Sequence, residues 1–450
     1  MAGISTNYDP ATTAQALAES FTAGRQAILT RQGAQATATE KGLSTLGSAL
    51  SAFQSSLAAL TGLNKTISAS SAVFSDTAVA DASATANAAP GSYSFFVEQV
   101  ASAHKVSYGG MTDFAGGGSL TLGVGASSFS VDLGAKANWT VRELAAAING
   151  AADNTSMSAA VVTTGTTSEL VLTSKTTGAA NAISVSSTGT DAGLAAKLGG
   201  VRNELAPALD AVVRVGSASG TEIRQASNTL SVIDGVTMTL TKAQAAGSTP
   251  VTLTVASDAT RTAANAQAFV DAYNKLKTAI DGLVSPGDPK SGGEAGAFAG
   301  DSGVRALRDR MVNALRSSGA SSLANFGITA NRQGTLTLDS TRLNKALALN
   351  PTGLDTLIGS SSTTGASGIA GQLDGYLKLW TSSSNGQIGS RKDAISKLQG
   401  NLAERQTTLD KQYDSAYARY LAQFTQLQSV QSNMSYNTSL FDSLFSSAKD

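Results

Sequence analysis

The sequence predicts an α+β multidomain chain in which terminal coiled-coil-like helices form a helical stalk and nested antiparallel β domains are inserted in the middle. Three observations carry this. Apolar residues recur at alternating spacings of three and four near both ends, which is the mark of a helical seam. Between the ends the pattern changes to period two, broken by Gly, Ser, Thr and Asn, which is the mark of half-buried strands. Helical ends separated by a β block imply nesting, with the terminal seams burying each other or burying against other copies.

Composition sets the limits. A chain of 450 residues exceeds the ~250–300 at which one core usually divides, so about two to four domains are expected. Charged residues are only 14%, and 32 basic side chains balance 32 acidic ones. No basic field therefore invites nucleic acid or an anionic membrane. Hydrophobic residues make up 42%, much of it Ala, with 5% aromatics and 45 glycines. Small flat strands and Ala-lined helix contacts suit this better than a thick aromatic core. The absence of cysteine excludes disulfides and thiolate metal sites. The start "MAGISTNYDPATTAQALAESF" has neither a basic n-region nor an apolar h-region, so no cleaved signal peptide is expected. No apolar run approaches a membrane span.

Along the chain, Leu17, Phe21 and Ile28 form a thin stripe, weakened by Gly24 and Gly33 at about 1 kcal/mol each relative to Ala. That helix is expected to need a partner to order. A fuller seam follows at Leu43, Leu46, Leu50, Phe53, Leu57 and Leu60, with Ile67 continuing its register past Asn64. After Ala89-Pro90-Gly91, "SYSFFVEQV" reads as a strand, and "SLTLGV" with "SFSVDL" reads as a hairpin. Thr140 with Glu143 is a capping box opening a short helix that buries Val141, Leu144, Ala145 and Ile148. Strands "SAAVVTT", "SELVLTS", "AISVSS", "AVVRVG" and "PVTLTVA" follow. "NTLSVIDGVTMTL" reads as a hairpin about Asp234-Gly235, a pair that favours the positive backbone angles of a tight turn. Helices then return, with Phe269, Tyr273, Leu276, Ile280 and Leu283 on one seam and Val304, Leu307, Met311 and Leu315 on another.

The C-terminal helix carries Ile395, Leu398, Leu402, Leu409, Tyr413, Ala416, Tyr420, Phe424 and Leu427, interrupted by Arg405. Its seam is too narrow to be self-sufficient. The tail adds Leu440, Phe441, Leu444 and Phe445, with no evident partner in the chain. The expected domains are a helical segment 1–40, a helical and mixed stalk domain 41–81 with 259–389, and a β domain 82–112 with 205–258. An inserted β domain 113–204 carries one short helix, and 390–450 forms a C-terminal coiled-coil segment.

Sites for chemistry are sparse. "AGDSGV" contains the Gly-Asp-Ser-Gly found around some serine nucleophiles, which would need a His base and an orienting Asp. The single histidine, His104, sits at a predicted strand end and reads as a partly exposed strand residue. Asp301 or Ser302 as a helix N-cap accounts for the tetrapeptide. The Gly-rich "SPGDPKSGGEAGAFAG" follows a helix and lacks Lys-Ser/Thr at phosphate-loop spacing, so it reads as a connector. No catalytic residue, metal ligand or cofactor is assigned.

With these elements placed, the chain resembles the flagellar filament cap family, the flagellar hook-associated protein 2 proteins. "APGSYSFFVEQVASAHKV" looks like the family's strand after the first helical region, and Trp139–Val185 is similar to a module shared by cap proteins and some flagellins. "IRQASNTLSVIDGVTMTLTKA" with "VTLTVASD" resembles the family hairpin, and "AQAFVDAYNKLK", "AGDSGVRALRDRM" and "FGITANRQGTLTLDSTRLNKAL" look like its C-terminal half. "STNYDPATTAQ" stands where family members often begin with a "GSGLD"-type stretch.

The resemblance implies an extracellular, non-enzymatic assembly protein. Such a protein leaves the cell unfolded through the flagellar type III channel, forms a homo-oligomeric ring at the filament tip and helps exported flagellin fold and insert. Its implied partners are other copies of itself, flagellin, the filament end and hook-junction proteins, and a flagellar export chaperone. Oligomer and filament contacts are expected at Leu17, Phe21, Ile28, Leu43, Leu46, Leu50, Phe53, Leu57 and Leu60 in the first half. Leu398, Leu402, Leu409, Tyr413, Tyr420, Phe424 and Leu427 are expected in the second. An adhesin binding host mucin or glycan through the β domains is one alternative; another axial flagellar protein, a junction protein or flagellin, is a second.

Overall fold

The computed structural model describes residues 9–164, 167–200, 202–288, 290, 292–316 and 322–446. Of the atypical N-terminal stretch, residues 5–8 lie outside this range, as does the side chain of residue 445. Helix α1 is one continuous helix of 52 residues, Pro10–Thr61. Asp9 caps it, accepting hydrogen bonds from the N–H groups of Ala11 and Thr12, and Pro10 sits in the first turn, where its missing N–H costs nothing. Gly24 and Gly33 do not break it. At Gly62 the helix ends, and Asn64 takes a left-handed conformation with φ 58°. Ile67 therefore does not extend the helical register; it enters the same core from the following loop.

In chain order the remaining helices are α2 (Val141–Gly150), α3 (Ala192–Gly199), α4 (Ala259–Val284), α5 (Ser302–Ala314), α6 (Ser340–Leu349), α7 (Gly353–Ile358), α8 (Gly368–Thr381) and α9 (Gln387–Ser446). Two compact units divide the chain: Met1–Ile67 together with Ala263–Asp450, and Ser68–Thr262.

In the first unit, Leu43, Leu46, Leu50, Phe53 and Leu57 of α1 pack with Phe269, Tyr273, Leu276 and Ile280 of α4. Val304, Leu307 and Met311 of α5 and Leu373, Leu377 and Trp380 of α8 close the same core. Each fully buried aliphatic side chain contributes about 1.5–3 kcal/mol, so the wide apolar face of this half of α1 is satisfied inside the chain. A two-stranded sheet, Ile328–Ala330 with Leu336–Leu338, borders it.

The second unit starts earlier than the stalk boundary expected at residue 81, because Ser70–Phe74 and Ala80–Ala84 are strands of its sheets. A five-stranded antiparallel sheet runs in the order Ser70–Phe74, Val251–Ser257, Gly91–Gln99, Ala211–Val215, Thr221–Gln225. It shares a core with the sheet Thr229–Ile233, Val236–Leu240, Ala80–Ala84. The Asp234-Gly235 hairpin is present, and Gly235 alone of the pair takes a positive φ, 73°. A Cβ there would lie 2.7 Å from Thr85 Oγ1 and 3.0 Å from Ala88 N, so the turn packs too closely for any other residue.

A separate core spans Val106 to Leu198. It joins the four-stranded sheet Asn203–Ala206, Ala103–Met111, Thr167–Thr177, Met157–Thr164 to the three-stranded sheet Ile183–Thr188, Ser119–Val124, Ser127–Asp132. Strand Ala103–Met111, expected in the outer β domain, thus belongs here through Val106, Tyr108 and Met111. Helix α2 has its capping box, and α3, capped by Asp191, is a second helix that was not expected. His104 is 1% exposed, not partly exposed as the strand-end placement suggested. Its Nδ1 accepts the Ile183 N–H at 2.7 Å, which places the ring proton on Nε2, 3.0 Å from Glu204 Oε1. The imidazole thereby ties three strands together.

Candidate functional site

The two ends of the chain meet along α1 and α9, which pair antiparallel. Arg25 Nη1 donates to Gln412 Oε1 at 2.5 Å, the Gln26 and Gln406 amides bond each other, Arg405 Nη1 donates to Gln32 Oε1 at 3.2 Å, and Gln399 Nε2 donates to Glu40 at 2.8 Å. Between these polar rungs Leu29, Ala36, Leu402 and Leu409 form a small closed cluster. The inner edge of α1 repeats every seven residues through Thr22, Leu29, Ala36, Leu43, Leu50 and Leu57, all buried. On α9 the matching positions are Ile388, Ile395, Leu402, Leu409 and Ala416. The alternate seam positions, Lys392, Gln399 and Gln406, are polar. The pairing is therefore thin: small side chains and amide contacts hold it, with few large apolar ones.

The start of α9 is clamped. Arg391 donates to both carboxylate oxygens of Asp301, at 2.5 and 3.3 Å, and lies 5.0 Å from the Trp380 ring centroid. Asp301 also N-caps α5 by accepting the Val304 N–H. Partial burial works against its ionised form, but the hydrogen bonds from Arg391 and Val304 outweigh it and hold the carboxyl below the usual range. A Cβ at Gly303 would lie 2.7 Å from the Arg391 guanidinium, so a larger residue there would displace the arginine from its present position. The Gly-Asp-Ser-Gly tetrapeptide is thus a helix cap and an anchor, and the one histidine belongs to the other unit.

The structure sorts the expected contact residues into three groups. Leu43, Leu46, Leu50, Phe53 and Leu57 lie in the chain's own core, with Leu60 half-buried against it, and Leu402 and Leu409 are closed against Leu29 and Ala36. Tyr413, Tyr420 and Phe424 are half-buried. Leu17, Phe21, Ile28, Leu398 and Leu427 are exposed, Phe21 at 50%. Sequence reasoning missed Val430 and Met434, both exposed. They continue a seven-residue register that runs Tyr413, Tyr420, Leu427, Met434, Phe441, with Leu409, Ala416 and Val430 on the alternate positions. Polar Gln423 and Asn437 interrupt the alternate positions and hide it.

The antiparallel register brings Pro10 near Leu427, so α9 runs about 30 Å further, from Leu427 to Ser446. Along this extension every described side chain is exposed, and from Tyr420 to Ser446 the only charged residue is Asp442. Among the described residues no cluster could hold a metal ion, and no helix is long and apolar enough to cross a membrane.

Comparison with known proteins agrees with this architecture. Residues 6–104 match the family described as Flagellar hook-associated protein 2 N-terminus and residues 208–436 its C-terminus, while residues 119–176 match the Flagellin hook IN motif. The flagellin-like piece is thus confined to the inserted β core. The chain is 32% identical to the lateral flagellar hook-associated protein 2 of Vibrio parahaemolyticus, over 80% of this chain and 82% of that one. It is 30% identical to the A-type flagellar hook-associated protein 2 of Pseudomonas aeruginosa, over 91% and 89%. The crystal structure of the three domains D1-D2-D3 of the flagellar cap protein from Escherichia coli superposes with a TM-score of 0.62 at 25% identity, covering 79% of this chain and 99% of that one. The adhesin reading finds no support among these matches and is set aside. Thin terminal pairing, nested β cores and family matches on both sides of the inserted module converge: the chain belongs to the flagellar hook-associated protein 2 family, the structural proteins that cap the bacterial flagellar filament.

Proposed function

We propose that copies of this chain assemble as a ring at the filament tip, with the paired terminal helices gripping the filament end while exported flagellin folds and inserts. The observation that carries this is the extension of α9. Its apolar register continues through Leu427, Val430 and Met434 beyond the reach of α1, on a stretch without charge as far as Phe441. An isolated helix gains nothing from exposing such a seam, and a contact that forms with each added subunit supplies a reason for it. The contact set then narrows to the exposed members, Leu17, Phe21, Ile28, Leu398 and Leu427, together with Val430 and Met434. The residues buried in the core act only by holding the grip in shape. A thin seam also suits a contact that must release and re-form as the filament grows. The absence of cysteine suits a chain exported unfolded, for which an export chaperone is the expected companion before secretion.

The test is complementation of a strain lacking the gene, with the full chain or with a chain ending at Thr425. The full chain restores filaments; the shortened chain leaves bare hooks and spills flagellin into the medium. Filaments of normal length from the shortened chain would refute the grip.

A further inference from the structure

Near the middle of the α1–α9 pair a groove of about 340 Å³ remains open. Buried Leu29 and Leu409 and the exposed Ile28 line it together with Arg25 and Arg405. Each guanidinium bonds a neutral glutamine, Arg25 to Gln412 and Arg405 to Gln32. Neither meets a carboxylate at ion-pair distance among the described residues. A guanidinium has five N–H donors in a fixed fork suited to a carboxylate, so both groups keep unused capacity. The groove therefore presents apolar and cationic groups together.

One segment of the chain has the complementary character. Leu440 and Phe441 are 48% and 60% exposed, and beside them stands Asp442, the single charge of the α9 extension. This tip cannot fill the groove of its own molecule, because Asp442 lies about 50 Å further along the same continuous helix than Thr408 of the groove wall. We propose that the Arg25/Arg405 groove receives the Leu440–Asp442 tip of α9 from a second copy of the chain. The contact uses different surfaces on the two copies and so propagates head to tail, the kind that closes into a ring. It deepens the ring assembly proposed above and rests on it. Charge complementarity of this kind fixes partner and register.

The lack of native cysteine makes the test clean. Full-length Thr408→Cys and Ser439→Cys chains are mixed and oxidised, so that any disulfide between them joins two molecules. A heterodimer is expected. Asp442→Lys on the tail chain or Arg405→Glu on the groove chain should lower its yield about tenfold, and combining the two reversals should restore it. A mixture that fails to cross-link while the parent protein assembles in sedimentation would overturn this contact and leave the ring standing. Cross-linking indifferent to both charge reversals would overturn it equally. A parent that stays monomeric at all concentrations would remove the ring itself.

Discussion

At the scale of single residues, Asp301 has two duties, capping α5 and holding Arg391 at the root of α9. Its carboxyl is held below the usual range in the folded protein, by hydrogen bonds that outweigh partial burial. The stabilisation from its charge is therefore complete above the ordinary carboxylate range of about 4 and disappears as pH falls through the lower folded value. Asp301→Asn keeps a capping oxygen but loses the charge, so it should melt earlier at pH 7 and show a flatter acid limb than the parent. Asp301→Ala should lose about 1–2 kcal/mol from the cap alone. Thermal melts across pH 2–7 check both, and identical curves for Asn and parent would show that the clamp adds nothing. Tyr273 presents the opposite case. It is fully buried, and its hydroxyl has no hydrogen-bond partner among the described residues. Burial foremost, and then the negative charge of Asp281, push its pKa up to about 12, with Arg316 opposing. Removing an unsatisfied buried hydroxyl removes a desolvation cost. Tyr273→Phe should therefore be neutral or raise the melting temperature, and a loss above about 1 kcal/mol in denaturant titration would mean that the hydroxyl is bonded after all.

At the scale of elements, the α1–α9 pair combines a sound N-cap on α1, Asp9, with a weak interior. Gly24 and Gly33 sit inside α1 with open space where a Cβ would go, so nothing in the folded chain requires glycine there. Gly24→Ala with Gly33→Ala should add about 1 kcal/mol each to helix stability, read as slower amide exchange along residues 15–40. If the grip must loosen during growth, the stiffened chain should also build shorter filaments in the complementation assay; unchanged exchange would show that α9, and not helix propensity, limits order. The same elements explain what could be read ahead of the structure. The hairpin at Asp234-Gly235 and the capping box of α2 were legible because their signals are local. Helix α3 was not, since "AGLAAKLG" is short and Ala/Gly-rich, and the pair Phe114–Ala115 with Asn138–Trp139 is only two residues deep. The burial of His104 was invisible because its partners lie 79 and 100 residues away. The apolar seam of α9 is legible through Leu427 and not at Val430 and Met434. There Gln423 and Asn437 broke the pattern, and no sequence rule told that Leu43 to Leu57 would be claimed by α4.

At the scale of the whole molecule, the chain solves the problem of inserting one folding unit into another by tying each unit off at its own ends. In the outer unit Asn265 Nδ2 donates to the Ile67 carbonyl at 3.0 Å, bringing the two chain crossings together. In the inserted unit the Ala69 N–H donates to Thr262 Oγ1 at 2.9 Å and the Asp258 N–H donates to the Ala69 carbonyl at 2.8 Å. Among the described residues the three large hydrophobic cores divide along the same line, one in the outer unit and two in the inserted one. A unit with its own core and adjoining ends can fold alone. Residues 68–262 expressed alone should therefore give a cooperative melt, and a chain with a short Gly-Ser linker in place of 68–262 should keep the helical signal of the outer unit. Calorimetry of the full chain should then show at least two transitions, one matching the excised unit. A single transition in the full chain, with neither piece folding alone, would mean that the units stabilise each other.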